Sequence, residues 1–313
     1  MSDTGQNILA VCRRVEREIW GDWTLESMAA AAGLSPFHFH HLFQELVGEA
    51  PVSFVRRLRL EYAAARLKFG DEAAVEVAMA AGYESREGFV RAFHRHFGCP
   101  PEVFRERAQR QLDRLARQPA VREASMSVTV IRLSPRTVIC RRHTGPYRGI
   151  PQTWNRLREW AQRERALDEN SVCLGLYHDE PEITPASRLR YDAGLVGPLA
   201  QPLEAGMHSM ELAGGTYAVA DYDGSLWRLE RAWEWFTAVW LRESGWHAGI
   251  FYVFEEHRAA DLLRRTLSWS NVWRRTFRCR LHLPLQRMLD ENSLPIKKCQ
   301  NSNNGHTLLP SFG

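Results

Sequence analysis

The sequence predicts a multidomain molecule. An all-α N-terminal domain holds two helix-turn-helix units joined by a long helix, and an α+β C-terminal domain holds two pseudo-symmetric β-α-β-β units. Two internal repeats and a change of hydrophobic period near residue 125 carry that prediction. In the first repeat, Ala29, Gly33, Leu34, Ser35, Phe39, Phe43, Gly48, Pro51 and Phe54 return as Ala78, Gly82, Tyr83, Ser85, Phe89, Phe93, Gly98, Pro101 and Phe104, at an offset of 49 before the turn and 50 after it. In the second, Thr137, Gly145 and Trp154 return as Thr216, Gly224 and Trp233 at a constant offset of 79.

Along residues 1–110, Ile8, Val11, Cys12, Val15 and Ile19 keep helical spacing and predict a first helix. Thr24 caps the second helix, although Ser27 lacks the acid of a full capping box. Gly33 supplies a left-handed turn, and Ser35 caps a third helix with Pro36 at its first position. Phe39, Leu42, Phe43 and Leu46 should face the core; Phe37, His38, His40 and His41 lie off that stripe. The three histidines do not converge on one side of a helix, so no metal site is expected there. A helix over 53–69, at about 1.5 Å per residue, spans roughly 25 Å. A rod of that length can hold two reading heads on major-groove faces about 34 Å apart. Val75, Ala78 and Met79 precede the second turn, and Ser85 caps a helix with Phe89, Ala92, Phe93 and Phe97 inward. Arg86, Glu87, Val90 and Arg91 are left pointing out.

The 313 residues are 44% hydrophobic and 25% charged, which fits a globular protein. No apolar run approaches the roughly 20 residues of a membrane helix, and no signal peptide opens the chain. The six cysteines are scattered without a CxxC pair and read as reduced thiols of a cytoplasmic protein rather than zinc ligands. No cofactor is expected. The net charge of +4 arises wholly beyond residue 124, so any electrostatic case for nucleic acid rests on distribution. Arg56, Arg57, Arg59, Arg66 and Lys68 form one basic stretch; Arg91, Arg95, Arg105, Arg107 and Arg110 form another. Acids gather elsewhere, which predicts a basic face and an acidic back. Arg86 and Arg91 have the geometry for paired hydrogen bonds to guanine, and Glu87 could accept from cytosine or hold Arg91.

A polar stretch, 111–124, reads as a helical tail and linker. Beyond it, β-branched runs at 128–131 and 137–140 predict strands, with helices over 152–164 and 226–242 and further strands over 172–177, 189–196, 251–254 and 277–283. Two such units should pair about a pseudo-dyad with a cleft between them, filling 125–285. Residues 286–313 lack periodicity and are expected to be a disordered tail.

The words Arg59…Arg66-Leu67, Ala80-Ala81-Gly82-Tyr83-Glu84-Ser85 and Phe89-x-Arg91-x-Phe93…Phe97-Gly98-x-Pro100-Pro101…Phe104-Arg105 resemble the AraC/XylS family of transcription regulators. The resemblance implies that the third and sixth helices enter successive major grooves of double-stranded DNA. Carried onto this chain, the base-facing residues are Phe37, His40, His41, Arg86, Glu87, Val90 and Arg91. Ser53, Arg57, Arg59 and Arg105 are assigned to phosphates, which position without specifying. A monomer with two readers suffices for DNA binding, and RNA polymerase is a conceivable further partner.

The second half resembles the GyrI-like (SbmC-like) effector-binding domain, through His143-Thr144-Gly145-Pro146-Tyr147, Tyr177-His178-Asp179-Glu180-Pro181, Leu189-Arg190-Tyr191-Asp192, Ser244-Gly245-Trp246 and Phe254-Glu255-Glu256-His257. That resemblance implies a cleft for small hydrophobic, often cationic, molecules and places a ligand carboxylate on Glu255. A carboxylate among aromatic rings attracts organic cations. The candidate walls are Tyr147, Tyr177, Tyr191, Tyr222, Trp154, Trp233 and Trp246, with core as the alternative reading of Trp154 and Trp233, whose spacing is helical. The segment 248–277 departs from the pattern. An alternative is a hydrolase or ligand-sequestering protein using Glu255, but the chain has no Gly-x-Ser-x-Gly elbow, His-Glu-x-x-His pair or Walker loop, and it is not expected to be an enzyme.

Overall fold

The computed structural model describes residues 3–167, 170–197, 203–249, 252–259 and 276–286. Helices α1 (Asp3–Arg17), α2 (Leu25–Ala32) and α3 (Pro36–Val47) build the first helix-turn-helix unit. Helices α5 (Ala74–Ala80) and α6 (Arg86–Phe97) build the second, with α4 (Pro51–Phe69) between the units and α7 (Pro101–Ala116) after them. Each unit has its own core. Phe54, Val55 and Leu58 of α4 join Ile8, Met28, Phe39 and Phe43, whereas Leu60, Ala63, Ala64 and Leu67 join Val77, Phe89 and Phe93. The imperfect apolar stripe of α4 is thus the signature of a helix buried against two partners in succession.

Several expectations for this half are corrected. Ser27 does complete the capping box of α2, because its hydroxyl takes the acid's part and accepts from the Thr24 amide at 2.9 Å. Leu46, expected in the core, is exposed. On the seven-residue α5, whose facing the sequence left open, Val77 and Ala78 are buried while Val75 and Met79 (60% exposed) face out. So short a helix takes its inward side from its neighbours rather than from its own periodicity. Residues 111–124 are packed: α7 runs on through buried Leu112, and α8 (Pro119–Arg122) buries Val121 in the core of the second domain.

That domain is built on antiparallel strands: β1 (Val128–Leu133), β2 (Arg136–Thr144), β3 (Val172–Tyr177), β4 (Arg190–Val196), β5 (Met207–Leu212), β6 (Gly215–Ser225), β8 (Val253–Arg258) and β9 (Thr276–Gln286), with short β7 (His247–Ala248) pairing β9. The order is β1-β6-β9-β8-β3-β4-β2-β5. A pseudo-dyad between β8 and β3 relates one half-sheet to the other. The units are β-β-α-β-β rather than β-α-β-β, and their leading strands are exchanged. β1 precedes the first half but pairs β6, and β5 precedes the second half but pairs β2. β5 reads Met-His-Ser-Met-Glu-Leu, with no β-branched residue to announce it.

Cross-strand partners share a face of a sheet. Ile139, Leu195 and Cys173, and in turn Ala193, Gly175, Glu255, Leu281 and Ala220, therefore lie on one face. Helices α9 (Ile150–Arg163) and α10 (Leu226–Trp235, continued by a π turn at Phe236–Trp240) cover that face on either side of the dyad. Cys140, Leu174, Leu176, Asp192 and Phe254 occupy the other. Most of 248–277, and the tail from 287, lie outside the described residues. Among the described residues no helix is long and apolar enough to cross a membrane.

Candidate functional site

The two candidate reading helices begin alike. Ser35 and Ser85 accept from the amides of His38 and Gly88, and Gly48 and Gly98 end the helices with positive φ. Phe39, Phe43, Phe89 and Phe93 are fully buried, which fixes the outward face. Phe37 (76% exposed) and His41 project from α3 with their rings 4.8 Å apart, and His40 is half-buried. Arg86, Glu87 and Arg91 project from α6, with Val90 half-buried. Arg86 reaches Glu102 at 2.8 Å in a solvent-exposed pair.

The phosphate assignment needs correction. Arg57 is only 7% exposed, clamped by Glu49 at 2.7 Å and Glu61 at 2.9 Å. Arg59 donates to the carbonyls of Ile19 and Gly21, and Arg105 to that of Glu72. Arg66 and Lys68 are likewise paired, with Glu72 and with Glu180 and Glu182. This basic stretch ties helices and domains together and is not a free stripe. Ser53 and Arg56 remain exposed on α4, as do Arg95 on α6 and Arg107 on α7.

The second candidate site lies on the helix-covered face at the dyad. Glu255 is 4% exposed, and Tyr177 Oη donates to its Oε1 at 2.7 Å. Trp233 Nε1 donates to the same oxygen at 3.3 Å, and His257 Nε2 lies 3.2 Å from Oε2. Tyr191 and Tyr147 rings stand 5.0 and 5.5 Å from that of Tyr177. Trp154 donates to Tyr191 Oη at 3.0 Å. Burial, reinforced by the Glu255 carboxylate, raises the Tyr177 hydroxyl well above the phenolic range and keeps it a neutral donor. The repeat-related Trp154 and Trp233 therefore touch the cluster as well as the core. Tyr222 spends its hydroxyl on the Ser225 carbonyl at 2.6 Å and packs with Trp246 into the core under α10. A cavity of about 300 Å³ lies elsewhere, between the end of α4 and β7.

The strands that floor the cluster also carry the junction between domains. The β3–β4 loop starts after Tyr177 and returns before Tyr191, which is paired with it in register. Within it, Ile183 is buried in the core of the second helix-turn-helix unit, and Arg188 meets Glu49 at 2.7 Å. Arg190 pairs with Glu16 of α1 at 2.8 Å, and Arg142 with the same carboxylate at 3.1 Å. Burial alone would raise the Glu16 carboxyl, but the two guanidinium groups, Arg142 foremost, hold it down at about 2. Tyr147 Oη donates to the Asp179 carbonyl, whose carboxylate holds Arg190.

Together these features define a class of molecule, a paired helix-turn-helix domain docked on a two-fold small-molecule-binding fold. The chain carries an AraC-type helix-turn-helix domain and a C-terminal GyrI-like domain. Residues 28–107 match the family model described as a helix-turn-helix domain, and residues 126–258 match the GyrI-like small molecule binding domain. The chain is 38% identical over 87 residues to the RCS-specific HTH-type transcriptional activator RclR of Escherichia coli, and 33% identical over 85 residues to the MmsAB operon regulatory protein of Pseudomonas aeruginosa. These matches take in 28% and 27% of this chain, and only 31% and 28% of the relatives' own lengths. The DNA-binding domain of AdpA, solved with a target DNA, is similar over 34% of this chain and 95% of its own, at 25% identity and a TM-score of 0.33.

Proposed function

We propose that the protein is an effector-responsive transcription regulator that reads two successive major grooves and senses a small, hydrophobic, cationic molecule. The observation that carries the reading is the pairing of two outward helices, α3 and α6, with a buried carboxylate ringed by tyrosine and tryptophan in the same chain. Base contacts are assigned to Phe37, His40 and His41 on α3 and to Arg86, Glu87, Val90 and Arg91 on α6. Ser53, Arg56, Arg95 and Arg107 are the side chains available for phosphates. Glu255, Tyr147, Tyr177 and Tyr191 are assigned to the effector, with Trp154 and Trp233 flanking it.

Charge and dispersion act together at such a site. A carboxylate in a low-dielectric ring of π faces favours an organic cation over a neutral analogue. Both Glu255 oxygens already have hydrogen-bonding partners, which suits a fixed counter-charge better than a base activating water. The signal would travel through the β3–β4 loop, which begins and ends in the cluster and rests on both helix-turn-helix units. Contact with RNA polymerase would follow once both grooves are occupied.

The test is selection of DNA from a random pool by the purified protein, then binding of the selected duplex with and without a lipophilic aromatic cation. A selected motif in two parts about one helical turn apart, with affinity altered by the cation, is expected. Failure to enrich any sequence would overturn the reading.

A further inference from the structure

We propose that Cys140, Asp192 and His208 form a binding site for a thiophilic divalent cation of the zinc class, on the opposite face of the sheet from the aromatic cluster. Each offers one ligand atom, and the three atoms lie within 4.8 Å of one another. All three residues are buried. They come from three adjacent strands: Cys140 on β2 stands opposite His208 on β5, and Asp192 comes from β4 on the other side of β2. Thiolate, imidazole and carboxylate are the ligand types zinc takes, and three protein ligands leave one tetrahedral position open.

His208 supplies the independent sign of a ligand. Its Nε2 lies 3.4 Å from Asp192 Oδ2, whereas its Nδ1 is buried with no hydrogen-bond partner among the described residues. Leaving such an atom unsatisfied is costly. Because Asp192 is itself one of the three ligands, Nε2, the nitrogen that already faces its carboxylate, is the one placed to share a cation with it, and the other edge of the ring is untied among the described residues. His178 Nε2 lies 2.7 Å from the same Asp192 oxygen.

Arg142 is the competitor, holding the two Asp192 oxygens at 2.8 and 3.0 Å. It also faces Glu16 at 3.1 Å, so it keeps a carboxylate partner when one Asp192 oxygen turns to a metal. Binding releases the Cys140 thiol proton to solvent, and thiolate plus carboxylate then balance the dication. The sequence hides this set, because its members lie on three strands far apart in the chain.

The experiment is titration of the reduced full-length protein with Co²⁺, read by the thiolate-to-cobalt charge-transfer absorption, with Zn²⁺ as competitor. One equivalent should raise the band. Cys140→Ser should abolish it with the other thiols in place, and His208→Gln should weaken binding by roughly tenfold or more. Absence of the band, or a band undiminished in Cys140→Ser, overturns the proposal. Should Cys140→Ser fail to fold, wild-type affinity in His208→Gln overturns it equally. None of these readouts depends on DNA binding.

Discussion

Tyr191 and Asp192 are neighbours on β4 yet serve opposite faces of the sheet. Tyr191 packs against Tyr177 in the aromatic cluster, with ring centroids 5.0 Å apart, while Asp192 holds Arg142, which clasps Glu16 of α1. Strand alternation thus sets a site wall and a domain clasp one residue apart. A displacement of β4 by an effector would reach both.

Replacing the counter-charge tests the effector site. Glu255→Gln keeps the shape and removes the charge. Affinity for a fluorescent lipophilic cation, measured by anisotropy, should fall about tenfold, or about 1.4 kcal/mol. Equal affinity in the two proteins would remove Glu255 from the site.

Gly175 lies opposite Glu255 across β3 and β8. A methyl group there would overlap the Tyr191 hydroxyl and sit 3.0 Å from its Cζ. Gly175→Ala should therefore displace the tyrosine, costing about 1–3 kcal/mol of stability and weakening cation binding. Urea unfolding read alongside the anisotropy assay would detect both.

Two arginines should behave oppositely. Arg91→Ala should cost about 1–3 kcal/mol of DNA affinity and relax one base position, with no loss of stability. Arg57→Ala would strand the buried carboxylate of Glu61 and leave Glu49 with Arg188 alone, and should cost roughly 3 kcal/mol of stability. The salt slope of DNA binding by whatever Arg57→Ala protein remains folded should be unchanged.

Acid should weaken the protein in two stages. Burial lowers His282 to about 4, so its contribution is complete above about 6.5 and fades as pH falls toward 4, when the unfolded chain takes the proton first. Glu16, held at about 2, contributes fully above the ordinary carboxylate value of 4.5 and loses that contribution as pH falls toward 2. Urea midpoints from pH 7 to 3 would show the decline. In Glu16→Gln the second stage should be flattened, together with a stability loss of roughly 3 kcal/mol at neutral pH.

The two repeats, the serine caps and the left-handed glycines are local signals, and each resides in a few consecutive residues whose backbone preference does not depend on distant partners. For that reason both helix-turn-helix units, the long α4 and the pseudo-symmetric second half were legible in the chain. Glu255 and its tyrosines were legible through resemblance to a family, and the hydrogen bonds that gather them were not. The role of Arg57, the exchange of β1 and β5, and the setting of Cys140 beside Asp192 and His208 were decided only in three dimensions. A charged side chain looks the same in sequence whether it faces phosphate or a buried carboxylate. What separates the two is the desolvation that tertiary packing imposes and the partner it supplies.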